Sequence, residues 1–95
     1  MLQNVKQALR ISVSTTAFDS EVEDLIAAAR DDLRLSGVLA SKVEDDSDSL
    51  IRRAITVYAK ANFGLDNPDA EKFQRSYESL KAHLTLSQEY TVGDA

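Results

Sequence analysis

Helix breakers are nearly absent from this chain. Three glycines and one proline occur in 95 residues, and they lie late in or after stretches whose apolar residues recur at helical spacing. So few breakers at the ends of periodic stretches suit helices punctuated by short turns. An all-α fold is therefore expected: a small bundle of about four helices, a short N-terminal one and three longer ones, followed by a flexible C-terminal tail. At this length there is room for one core, with residues 1–86 as a single helical domain and 87–95 as a polar tail. A chain of this size buries only about 60 to 65% of the surface its unfolded form exposes. Partner subunits are one way to make up the difference.

Leu2, Val5 and Leu9 place a short amphipathic helix over residues 2–10, with Gln3, Lys6 and Arg10 interleaved as its polar side. Ser12, Ser14, Thr15 and Thr16 then favour a connector. The second helix starts between Thr16 and Ser20, where two capping-box spacings overlap, Thr16 with Asp19 and Ser20 with Glu23. It runs to about Ser36, burying Val22, Leu25, Ile26, Ala29 and Leu33, and Gly37 supplies a left-handed terminator. Residues 40–49 read as an exposed acidic loop, with Asp46 or Ser47 as the next helix cap.

The third helix is expected from about Asp48 to Phe63. At 100° per residue Leu50, Ile51, Ala54, Ile55, Val57, Tyr58 and Ala61 fall in one wide arc, opposite Arg52, Arg53, Thr56, Ala59 and Lys60. So wide an arc marks the central helix of the bundle. Asn67 as cap and Pro68 at the first helical position open the fourth helix. Its seam of Phe73, Tyr77, Leu80 and Leu84 should pack antiparallel on the third, across a five-residue link from Gly64 to Pro68. After Leu86 the pattern dissolves into the tail, where Tyr90 and Val92 alternate with polar residues.

Catalytic chemistry finds little support. With no cysteine and a single histidine, His83, there is no thiolate site, no multi-histidine metal centre and no recognisable nucleophile motif. Glu44, Asp45, Asp46 and Asp48 resemble a calcium loop only superficially, since the glycine at position six and the closing glutamate are missing. Asp31 and Asp32, adjacent in a helix, diverge by about 100° and cannot share an acid–base site. No catalytic residue, metal or cofactor is assigned. The net charge of −5 argues against a DNA-coating surface, which needs clustered Lys and Arg. No apolar run could span a bilayer and the N-terminus lacks a signal-peptide profile, so a cytoplasmic protein is expected. Arg52 and Arg53, with Lys60 two turns on, are candidate inter-subunit contacts, and the acidic 44–48 loop of a neighbour is their available partner.

Three segments, Val5 to Ile11, Phe18 to Arg30 and Ala54 to Tyr58, together resemble the tailed-bacteriophage head–tail connector, or adaptor, family. That family also occurs in prophages and is sometimes described as a possible DNA-packaging protein. Its pattern opens with a "VKxALRI" helix, continues with an "(F)D-E-x-x-DLIxAA" helix and ends in a long apolar helix bearing an aromatic residue. The resemblance covers residues 2–86 in order and spacing. It implies a non-enzymatic helical subunit of a ring, dodecameric in the virion, that sits below the portal. Such a ring extends the genome channel and carries a stopper or head-completion protein, and the genome passes without sequence-specific binding. The virion, assembled in the bacterial cytoplasm, is the implied location. Many relatives end the third helix with a longer Trp-Tyr-type segment, whereas this chain has Tyr58-Ala-Lys-Ala-Asn-Phe63-Gly64. The tail from Ser87, with Tyr90 and Val92, is a candidate contact with a neighbour or the portal, ordering on assembly.

Two other classes compete with this reading. A small DNA-binding regulator would need basic and amide residues near the start of a recognition helix, but the third helix offers Asp48 and Ser49 there, and the fourth Asp69 and Glu71. A monomeric helical accessory protein would differ in hydrodynamics.

Overall fold

The computed structural model describes residues 1–93; Asp94 and Ala95, the end of the expected tail, lie outside the described residues. Among the described residues six helices follow in order: α1 (Leu2–Ala8), α2 (Asp19–Leu35), α3 (Ala40–Val43), α4 (Ser49–Asn62), α5 (Ala70–Leu86) and α6 (Gln88–Thr91). Among the described residues there is no strand. The all-α expectation holds, with α1, α2, α4 and α5 as the four principal helices and two single-turn helices added.

Helix α4 is the axis of the molecule. It packs against α5, α2 and α1, and Ile51, Ala54, Ile55, Val57 and Ala59 are all buried. Ala59, expected on the outer side, is enclosed because three helices surround the second half of α4. Leu50, expected inside, is 45% exposed at the first turn, where that enclosure has not begun. Helices α2 and α5 flank α4 and run antiparallel to it: Phe18 at the start of α2 meets Phe63 at the end of α4, edge to face at 5.6 Å. The seam of α5 is as expected, with Tyr77 and Leu84 buried and Phe73 and Leu80 packed partly against the core. Tyr58 of α4 meets Tyr77 edge to face at 5.0 Å. The result is a flattened body of 43 × 26 × 18 Å.

Helix ends show where side chains were diverted. Neither capping box forms at α2: Asp19 turns instead to Lys6 at 2.8 Å, and Ser20 lies inside the helix rather than ahead of it. At α4 the cap is Asp48, not Asp46 or Ser47: its Oδ1 accepts from the N–H groups of Leu50 and Ile51 at 2.9 and 3.1 Å. Asp45 instead accepts from the N–H and hydroxyl of Ser47. The fifth helix starts later than expected, with Asp69 as the flanking residue. The amide of Asn67 donates to the Lys60 carbonyl at 2.6 Å, satisfying an orphan group at the end of α4 rather than capping α5.

Helices α1 and α2 both end in a Schellman motif. In α2, Gly37 takes the left-handed position, as expected, at φ 114. In α1 the same position is held by Arg10, the only non-glycine residue with positive φ among the described residues. The tail expectation is narrowed as well. Gln88–Thr91 form a helical turn on α5, and Tyr90 is only 5% exposed, because its ring and hydroxyl find partners near the start of α4.

Candidate functional site

Lys6, expected on a polar helix side, is completely buried. Its ammonium donates to the carbonyls of Val13 and Thr15 at 3.2 and 2.6 Å and pairs with Asp19. A buried ammonium is tolerable only when its N–H groups meet acceptors and a counter-charge is near. Three oxygens supply this, and they fasten the 11–17 connector between α1 and α2. Nothing in the local sequence marks it, since Asp19 lies thirteen residues on.

The acidic loop is engaged within its own chain. Arg30, on the border of the α2 stripe, reaches Glu44 at 2.8 Å and Asp46 at 2.6 Å, and the Met1 amine adds a contact to Asp46 at 3.3 Å. Partners within the same chain thus occupy carboxylates considered for a neighbour's arginines. Hydrogen bonds from Ser47 hold the Asp45 carboxyl below its ordinary range. Arg52 and Arg53 are both exposed, and neither makes an ion pair among the described residues. Lys60 is drawn away from them, its ammonium lying 5.5 Å from the Phe73 ring centroid.

Asp31 and Asp32 diverge as their helical offset requires. Asp31 pairs with Arg34. Asp32 accepts from the Tyr77 hydroxyl at 2.5 Å and from Lys81 at 3.1 Å, bridging α2 to α5. Partial burial works against its charge, but these two donors outweigh it and hold the carboxyl below its ordinary range. Burial, then the bond to Asp32, pushes the Tyr77 phenol up.

Tyr90 sits between three groups. Its hydroxyl donates to Asp48, at 2.9 Å from Oδ2, its carbonyl accepts from the Leu39 N–H at 2.8 Å, and Lys42 lies over its ring at 5.5 Å. Burial, followed by the bond to Asp48, pushes its phenol up to about 12. Val92, the other tail candidate, is exposed and lines an open cleft of about 470 Å³ between α3 and α6 with Leu39, Lys42 and Glu89. A second cleft, about 370 Å³, lies at the opposite end between Leu9, Arg10, Lys60, Phe63 and Phe73.

Among the described residues, no three His, Cys, Asp or Glu side chains gather as a metal site, and no helix is long and apolar enough to cross a membrane. Leu35, Leu50, Leu86 and Val92 stand out near one end of the bundle, where α2 and α5 finish and α4 begins, and Val13, Phe18 and Leu65 near the other.

Compared with known proteins, the chain fits the family model described as "Phage connector protein" over residues 1–91. No curated protein and no solved structure matches.

Proposed function

From the premise that this chain belongs to the phage connector protein family, as its match over residues 1–91 shows, we propose that it is a ring subunit below the portal. In this reading the ring, a dodecamer in the virion, extends the genome channel and presents a platform to the stopper or head-completion protein. Subunits are made in the host cytoplasm and end in the virion at the head–tail interface. The family match carries the proposal.

Physical features support it. The core closes around α4, yet Leu50 and Val92 at one end of the bundle and Val13 and Leu65 at the other remain outside, where a conduit component meets the proteins above and below it. A net charge of −5 suits a channel that must let a polyanion slide rather than grip it. Arg52 and Arg53 are free to contact a neighbouring subunit. To reach a neighbour's Glu44 or Asp46 they must displace Arg30 there, so Arg30 is a competitor in any such contact. Tyr90 and Val92 are the tail's contact residues, Val92 directly and Tyr90 after leaving Asp48.

The DNA-binding alternative is not favoured, because Asp48 at the start of α4 is committed to capping and α5 opens with Glu71. Size-exclusion chromatography with light scattering, and negative-stain imaging of the protein mixed with the portal of its phage, tests the proposal. A ring of added density on the portal is the expected result. Portal particles unchanged in outline, with a monomer in solution, would overturn it.

A further inference from the structure

We propose that the outer face of α5 in one copy packs on the outer face of α2 in the next, in parallel and in register. The inference rests on the ring reading above and names the surfaces that close it.

Both helices are 17 residues long and run in the same direction on either side of α4. Asp32 ties them to each other on one side through Tyr77 and Lys81, and each leaves a different face to solvent, as a head-to-tail ring requires. Counted from the start of each helix, the third, sixth, tenth and seventeenth residues are Glu21, Asp24, Ala28 and Leu35 in α2, and Lys72, Arg75, Ser79 and Leu86 in α5. Acid meets base in the first two turns, small residues meet in the middle, and leucines meet at the end. Leu35 is 89% exposed and Leu86 86%, so both are open to a partner helix.

The charges are available for this use. Glu21 accepts from the Gly64 N–H at 3.3 Å, a contact it must share or release, whereas Asp24 and Lys72 make no ion pair among the described residues. Arg75 has only a loose contact with Glu71 at 3.4 Å, both largely exposed. Small residues at the tenth position allow the helix axes to come close. Within one chain Asp32 meets Tyr77 and Lys81, placing α5 about four residues short of this register, or ~6 Å of rise. A modest lean of each subunit against the ring axis makes up the offset.

The chain contains no cysteine, so engineered thiols report contacts without background. Ala28→Cys and Ser79→Cys, placed together in the full chain, should give a ladder of disulfide-linked multimers on oxidation at millimolar concentration. Ala28→Cys with Ser49→Cys should not. Adding Asp24→Arg should cut the cross-linked fraction roughly tenfold, and adding Arg75→Asp to that variant should restore it. Leu35→Glu, at an exposed site that leaves folding intact by circular dichroism, should remove the ladder as well. Multimers seen by light scattering without a 28–79 ladder, or a ladder indifferent to charge reversal, would overturn this interface and leave the ring standing. A chain that stays monomeric in every condition, on portal included, would overturn the ring and this interface with it.

Discussion

Helices α1 and α2 end in the same hydrogen-bond motif on residues of opposite freedom. In α2 the N–H groups of Gly37 and Val38 donate to Arg34 and Leu33, each at 3.0 Å; in α1 those of Arg10 and Ile11 donate to Gln7 and Lys6 at 3.0 and 2.9 Å. Glycine takes the left-handed position without steric penalty, whereas a side chain there costs about 1–2 kcal/mol. The α2 end is specified by its own sequence. The α1 end is imposed from outside, because the connector that follows Arg10 is fastened to the Lys6 ammonium by two carbonyls. A helix can thus be stopped by a local residue or by a distant anchor.

Breaking the anchor should have the largest effect. Lys6→Met strands Asp19 and two carbonyls, and a loss of about 3–5 kcal/mol is expected in urea unfolding. A loss under 1 kcal/mol would show that the connector holds itself. Gly37→Ala tests the local stop: a Cβ there has open space around it, so the whole cost is backbone strain at φ 114, about 1–2 kcal/mol. The end of α5 gives a third case, extended at Ser87 with no such motif, and held through Tyr90. Tyr90→Phe should cost about 1 kcal/mol.

That third end carries a pH signature. The Tyr90 phenol is raised in the folded chain from 10.0 to about 12, so its contribution is complete below pH 10 and lost as pH rises towards 12. Thermal melts of the parent should fall across that window, and those of Tyr90→Phe should fall less. Smallest of all, Arg10→Gly should gain up to about 1 kcal/mol by relieving strain. A loss instead would mean that the arginine side chain supports the turn.

The difference between the two ends also explains what could be read in the sequence. Gly37, the α2 stripe and the α5 seam follow from residues within a turn or two of each other, and periodicity reveals them. Lys6 reads as a surface residue because its partners are carbonyls and a carboxylate brought in by folding. Ala59 reads as an outside residue because helical angle alone does not say how many neighbours a helix has. The cap of α4 reads from the loop as Asp46 or Ser47, and Asp48 takes it instead, because Arg30 engages Asp46 and Ser47 turns to Asp45, contacts that only the fold brings about. Arg52 and Arg53 were legible as exposed; that Arg30 would engage the carboxylates offered to them was not, since it sits on the edge of an apolar stripe.

Asp48 has two duties, capping α4 and receiving the Tyr90 hydroxyl, and a shared carboxylate makes the two events thermodynamically reciprocal. Whatever strengthens the first turn of α4 holds α6 more tightly, and whatever withdraws Tyr90 weakens that turn by the same free energy. Arg52 and Arg53 follow that turn directly. Asp48 is thus the one side chain that joins the Tyr90 hydroxyl to the turn ahead of the exposed arginine pair.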